Sequence, residues 1–107
     1  MRFRRRGPFE ELVDRQLTLF REDEAELLQE ADDAEAVWNA AGRDTAEEAY
    51  GDYQLVVDAL ADRLLELREA YAATLEPETA EAYRAAFAAA ASRRFRRYAS
   101  LVADLEI

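Results

Sequence analysis

The sequence predicts an all-α protein, and three features lead to that expectation. The chain has only 3 glycines and 2 prolines in 107 residues, so few positions interrupt a helix. Alanine and leucine dominate over valine and isoleucine, which favours helices over strands. Apolar residues also recur every three or four positions, the spacing of one helix face. We therefore predict a single-domain, elongated antiparallel three-helix bundle.

The first helix is predicted to run from about residue 9 to residue 41. Asp23 and Glu24 interrupt its apolar stripe, so a break at residues 21–24 is the alternative, with Asp23 and Glu26 forming a capping box. We favour the continuous helix because no glycine or proline marks a stop. Its inward side chains are expected to be Phe9, Val13, Leu17, Phe20, Leu27, Ala31, Ala34 and Trp38, with Leu12 and Leu19 beside them in the early part of the helix.

The second helix, from about residue 45 to residue 75, has the clearest pattern. Gly42 is expected to end the first helix in the left-handed conformation, and Asp44 or Thr45 to cap the second. So short a link predicts an antiparallel hairpin. The apolar seam has coiled-coil spacings of four and three, at Ala46, Tyr50, Tyr53, Val57, Leu60, Leu64, Leu67 and Tyr71.

Glycine and aromatic residues add two expectations about packing. Gly51 lies within the second helix, where glycine costs about 1 kcal/mol relative to alanine. We predict that its missing side chain makes room for the Trp38 indole or for a close helix contact. The large aromatic side chains are expected to face the core, namely Trp38, Tyr50, Tyr53, Tyr71, Tyr83 and Tyr98.

The third helix is predicted to run from residue 77 to about residue 105. Pro77 cannot continue the preceding helix but can occupy the first turn of a new one. The spacing of the apolar positions slips midway, as in a coiled-coil stutter. These inward positions are Ala80, Tyr83, Phe87, Ala91, Phe95, Tyr98, Val102 and Leu105.

A cluster of four arginines on this helix suggests a charge pair with the first helix. Arg93, Arg94, Arg96 and Arg97 have no acidic neighbour three or four positions away, so something outside the helix must compensate them. Arg94 falls inside the apolar stripe. We predict that it pairs with Glu24 or Asp23, the two acids in the stripe of the first helix, and that Arg97 flanks the pair. Such a pair fixes register more than it stabilises.

The missing residue types restrict the chemistry that is expected. The chain contains no cysteine and no histidine, and all 14 of its basic residues are arginine. Disulfides, thiolate catalysis, zinc-thiolate sites and histidine-based acid–base chemistry are excluded. Carboxylate-rich helices suggest a ferritin-like dimetal site, but such sites use Glu-x-x-His. We expect no catalytic residue, metal site or cofactor.

No apolar run is long enough to span a membrane, and we expect a cytoplasmic protein.

Association is the function that the sequence favours. The flank Ala85, Ala86, Ala88, Ala89 and Ala90 would allow close approach of another helix. Leu55 and Leu65 are expected to point outward, where a monomer would leave them exposed. We therefore predict a non-enzymatic protein that forms a homodimer or binds a partner helix, without a small-molecule substrate.

Anion binding is the alternative function. Residues 1–8 are predicted to form a flexible arm with +4 of charge, preceding a domain at residues 9–107 in a chain whose net charge is −10. The arm could bind nucleic acid or an acidic membrane surface together with exposed arginines of the third helix. The residues expected to contact the anion are Arg2, Arg4, Arg5, Arg6, Arg93 and Arg96.

Overall fold

The structure is a computed structural model that describes residues 7–98 and residue 101, and these residues confirm the all-α fold class. The described chain contains four helices, so the predicted count of three is wrong. Helix α2 packs along α3, and α4 packs against α1 and α3. None of the helices in this part of the chain is long and apolar enough to cross a membrane. The helices are α1 (Glu10–Asp23), α2 (Ala25–Ala40), α3 (Ala46–Ala72) and α4 (Pro77–Arg94).

A break at Glu24 divides the predicted first helix into α1 and α2. The backbone of Glu24 lies at φ −106° and ψ 26°, outside the helical range. Glu24 is hydrogen-bonded to both helices, because its N–H donates to the Phe20 carbonyl at 2.8 Å and its carbonyl accepts from the Leu28 N–H at 2.9 Å. The continuous helix is therefore wrong and the alternative break is confirmed. The capping box of Asp23 is not formed, since α2 has no side-chain cap.

The turn between α2 and α3 does not use the predicted glycine cap. Helix α2 ends at an extended Ala41, with φ −68° and ψ 141°, and no glycine of the described chain has a positive φ. Thr45 precedes α3 as predicted, but its hydroxyl donates to the Gly42 carbonyl at 3.5 Å and does not cap the helix. The extended residue turns the chain, so a left-handed residue is not needed.

Helix α4 begins at Pro77 as predicted but ends at Arg94, well before residue 105. Phe95 follows at φ −117° and ψ 31°, and the Tyr98 N–H donates to the Phe95 carbonyl at 2.9 Å. Buried side chains here recur every three residues, at Phe95, Tyr98 and Leu101. A turn tighter than an α-helix keeps such residues on one side. Because the chain leaves the α-helical conformation at Phe95, the prediction of one continuous helix from residue 77 to about residue 105 was wrong.

Within the described residues the core forms largely as the apolar spacing predicts, with exceptions near the α2–α3 turn, whereas the predicted inward residues Val102 and Leu105 lie outside them. Tyr53, Tyr83 and Tyr98 are buried, and Trp38 and Tyr71 are half-buried, but Tyr50 is 43% exposed. A Cβ atom added to Gly51 would meet nothing within 4 Å, so its predicted role in seating the indole is wrong. Instead Trp38 stacks on Tyr53 at 5.4 Å between ring centroids.

The two predicted outward leucines differ. Leu55 is 69% exposed, as predicted, whereas Leu65 is half-buried against the core, so that prediction was wrong.

Candidate interaction surfaces

The break at Glu24 and the end of α4 lie next to each other. The rings of Phe20 and Phe95 meet edge-on, with centroids 5.9 Å apart. The Arg21 guanidinium lies 5.3 Å from the Phe95 ring centroid and donates to the Arg94 carbonyl at 3.2 Å. It thereby satisfies one of the carbonyls that a helix C-terminus leaves without an intrahelical partner.

The predicted pairing of Arg94 with Glu24 or Asp23 does not form in the described chain. Arg94 instead lies 3.7 Å from a carboxylate oxygen of Asp14 and donates to the Thr18 hydroxyl at 3.0 Å. Helices α1 and α4 run in the same direction, because Phe9 contacts Tyr83 and, further along both helices, Phe20 contacts Phe95. Arg94 is consequently level with residues that precede Glu24 in α1.

Glu24 faces α3, and Asp23 stays exposed. Both carboxylate oxygens of Glu24 accept hydrogen bonds from Arg63, each at 3.0 Å. Asp23 borders a groove between α1 and α3. The two acids that interrupt the predicted stripe therefore face α3 and solvent, and not the arginine cluster.

Arg97 and Tyr98 attach the segment after α4 to α2. Arg97 contacts Asp32 at 3.4 Å and forms a hydrogen bond with Glu35. The Tyr98 hydroxyl donates to Asp32 at 2.7 Å, and burial and this hydrogen bond raise the pKa of Tyr98. Asp32 and Glu35 were missed from the sequence, although their spacing of three places them on one helix face.

Arg93 and Arg96 differ from their neighbours, because both are exposed and neither contacts an acidic side chain within the described residues. The anion-contact prediction also included Arg2, Arg4, Arg5 and Arg6, which lie outside the described residues. We call Arg94 and Arg97 the paired arginines, and Arg93 and Arg96 the unpaired arginines.

The exposed face of α4 is rich in alanine and has charges at its two ends. Glu78 and Glu81 lie near the N-terminus of the helix and Arg93 near its C-terminus, all three exposed. The side chains opposite this face belong to the core. Along one edge, α4 and the segment 7–10 enclose a pocket of about 200 Å³. We call this surface the α4 face, and it consists of Glu78, Glu81, Ala82, Ala85, Ala89 and Arg93.

Two grooves border α3 on another side of the bundle. The larger, about 700 Å³, lies between α1 and α3, and 51%-exposed Leu19 forms part of its wall. Its other lining residues are Gln16, Phe20, Asp23, Glu24, Arg63, Glu66 and Leu67. The smaller, about 470 Å³, lies between α2 and α3, and 61%-exposed Val37 lines it. Ala40, Ala41, Thr45, Glu48, Ala49 and Asp52 complete it.

A charge cluster also joins α3 to α4. Arg84 donates to both carboxylate oxygens of Glu69, each at 2.9 Å, and Arg68 donates to one of them at 2.8 Å. The hydrogen bond from Arg84 is the main cause that lowers the pKa of Glu69 to about 2.

Comparison with protein-family models, curated proteins and solved structures finds no match. Within the described residues, no group of histidine, cysteine, aspartate or glutamate side chains could hold a metal ion.

Proposed function

We propose that this protein is non-enzymatic and acts by association, forming a homodimer through the α4 face. The observation that supports the proposal is the order of residue types along this face. Acids lie at the N-terminal end, alanines in the middle and an arginine at the C-terminal end. Such an order is complementary to itself when two copies run in opposite directions.

The pairing follows from a two-fold axis that passes between Ala85 and Ala86. Rotation about that axis brings Ala82 of one copy opposite Ala89 of the other, and brings Glu78 opposite Arg93. Side chains as small as alanine allow two helices to approach closely. A two-fold interface repeats every contact twice, so two Glu78–Arg93 pairs form. A parallel arrangement would place like charges together.

The α4 face is also better suited to a second copy than the acidic surfaces of the molecule. The chain has 24 acidic residues against 14 basic ones, and apposed acidic faces repel each other. The α4 face carries both signs of charge, with Glu78 and Glu81 toward one end and Arg93 at the other. The dimer is proposed to form in the cytoplasm, the location expected from the sequence.

Charge reversal at the two ends of the α4 face tests the proposal. We expect light scattering after size-exclusion chromatography to give about twice 12.2 kDa for the wild type. The single variant Arg93→Glu should weaken the dimer, because equal charges then face each other. The double variant Glu78→Arg with Glu81→Arg should weaken it for the same reason. Mixing the two variants should restore a heterodimer, since opposite charges meet again.

Matched controls separate this effect from a change in net charge. Glu22→Arg with Glu26→Arg makes the same charge change as the double α4 variant but lies on exposed positions of α1 and α2. It should leave the dimer mass unchanged. A monomeric wild type at all accessible concentrations, or a mixture that fails to form a heterodimer, contradicts the proposal.

Anion binding is the second candidate, and the exposure of Arg93 and Arg96 favours it. The negative end of the α4 dipole opposes it, since an anion at these arginines would approach the helix C-terminus. Retention on heparin as a function of salt tests this function. If wild-type protein is retained and Arg93→Gln with Arg96→Gln elutes earlier, the arginines bind anions. If neither the wild type nor the double variant is retained on heparin, this candidate is contradicted.

A further inference from the structure

The two grooves along α3 lie on one face of that helix. Asp52 borders the smaller groove and Glu66 the larger, and these residues are 14 positions apart. Since 14 residues make close to four helical turns, they point in nearly the same direction. The two outermost acids of the face, Glu48 and Glu66, are 18 positions apart, which is about 27 Å along the helix axis. The two grooves therefore form one interrupted channel, which we call the α3 channel.

Apolar side chains in the α3 channel are available for contact. Leu19 is 51% exposed beside the larger groove and Val37 is 61% exposed beside the smaller one. Phe20 and half-buried Leu67 also line the larger groove. An amphipathic helix buries its apolar stripe against a surface of this kind.

The charges that border the α3 channel are negative. Asp23, Glu48, Asp52 and Glu66 line it, and none of these four contacts a basic side chain in the described part of the chain. Its single arginine, Arg63, donates to both oxygens of Glu24, so that the two charges offset each other. A second copy of this acidic chain would meet like charges here, whereas a basic partner would meet opposite ones.

We propose that the α3 channel binds a basic amphipathic helix of a partner protein, about 18 residues long. Leucine-type side chains on one stripe of that helix contact Leu19 and Val37. Arginine or lysine side chains on both sides of the stripe face the four acids. The α4 face is on a helix that packs with its opposite side against α1 and α3, so homodimer formation and partner binding use different surfaces.

A synthetic peptide tests the proposal on the full chain. The probe is a fluorescein-labelled 18-residue peptide with leucine at helical spacing and lysine on both flanks, and its binding is followed by fluorescence anisotropy. Leu19→Gln should weaken binding about tenfold, because one apolar contact is lost. Asp23→Arg with Glu66→Arg should weaken it by at least that factor, and raised salt should weaken binding to the wild type.

A matched variant and a matched peptide exclude non-specific attraction to an acidic protein. Glu22→Arg with Asp62→Arg changes net charge equally but at exposed positions outside the channel, and should change affinity less than twofold. A peptide of the same composition with its leucines scattered around the helix should bind at least tenfold more weakly. Equal effects of the two double variants, or equal affinity for both peptides, overturn the proposal.

The same titration distinguishes this proposal from homodimer formation. Arg93→Glu, which should weaken the dimer, is expected to bind the peptide with wild-type affinity. If the peptide instead dissociates a wild-type dimer, a second copy occupies the channel and the proposal is wrong. Lack of peptide binding overturns it regardless of the oligomeric state.

Discussion

The paired and the unpaired arginines come from the same five residues of sequence but belong to different regions of the molecule. Arg94 reaches an acid on α1, before the break at Glu24, and Arg97 reaches acids on α2, after it. Arg93 and Arg96 point to solvent, and Arg93 ends the α4 face. In sequence the four residues are a single cluster of like charge.

This difference shows that neighbouring charged residues at the end of a helix can be directed to different parts of the molecule. Because α4 ends at Arg94, the arginines lie in its last turn and just beyond it, where the helix dipole favours cations. Arg94 and Arg97 hold α4 and the segment after it against α1 and α2, and we infer that Arg93 serves association. Substitution of Arg94 or Arg97 should therefore change folding stability, and substitution of Arg93 should change dimer formation.

The largest effect is expected from the aromatic contact between the two breaks. Phe95 is fully buried against Phe20 and beneath Arg21. Phe95→Ala should lower the free energy of unfolding by about 3–5 kcal/mol, because it leaves a cavity in the core. Urea denaturation followed by circular dichroism measures the change. Leu55→Ala at a 69%-exposed position is the control and should change stability by no more than about 0.5 kcal/mol.

Tyr98→Phe should have the next largest effect. It removes the hydroxyl that donates to Asp32 at 2.7 Å and leaves the ring in place. A hydrogen bond to a charged group contributes about 1.5–3 kcal/mol, and we expect a loss toward the lower end of that range. Tyr50→Phe, which removes an exposed hydroxyl bonded to Gln54, is the matched control. Equal melting temperatures for the two variants contradict a role for Tyr98 in holding the segment after α4.

Glutamine substitutions separate the paired from the unpaired arginines most sharply. Arg97→Gln removes contacts with Asp32 and Glu35, but its side chain is 55% exposed, so the loss is expected to be at most about 1 kcal/mol. Arg96→Gln removes the same charge from a position without such a contact and should leave the unfolding midpoint unchanged. Denaturation of both variants under one condition is the measurement. A larger loss from Arg96→Gln would reverse the assignment.

The sequence predicts the helical class and some boundaries, but not the breaks. Pro77 and Thr45 mark helix starts through local chemistry, and both starts are found within a residue of their predicted positions. The ends at Asp23 and Arg94 depend on contacts between distant residues. Two such contacts are the hydrogen bond from Arg21 to the Arg94 carbonyl and the hydrogen bond from Arg63 to Glu24. Neither contact can be predicted from the spacing of residues along one helix.

The interaction surfaces were predictable to a similar extent. Helical periodicity predicts the exposure of Leu55 and of part of the alanine flank, since Ala85 and Ala89 are exposed. The prediction was wrong for Ala90, which is buried in the core, and Ala86 and Ala88 are half-buried. The α3 channel could not be predicted in this way, because it requires knowing that α1 and α3 both pack on α4 and leave a groove between them. Leu19 was predicted to lie beside the core stripe, yet about half of it is exposed in that groove.

The smallest effect is expected from acidification. The folded-state pKa of Glu69 is lowered to about 2 from an ordinary value of 4.5, chiefly by Arg84. Its contribution to stability is therefore complete above pH 4.5 and is lost as the pH falls toward 2. Glu69 is 46% exposed, so the contribution should be below about 1 kcal/mol. Glu69→Gln should reduce the fall in melting temperature over this pH range, and an unchanged fall contradicts the assignment.

Cysteine cross-linking tests the proposed homodimer most directly, because the natural chain contains no cysteine. Ala85 lies beside the proposed two-fold axis, so Ala85→Cys places two thiols near each other in the dimer. Mild oxidation should give a covalent dimer rapidly and at low protein concentration. Ala36→Cys, at an exposed alanine of α2, should cross-link slowly and in proportion to concentration. Equal rates for the two variants would contradict association through the α4 face.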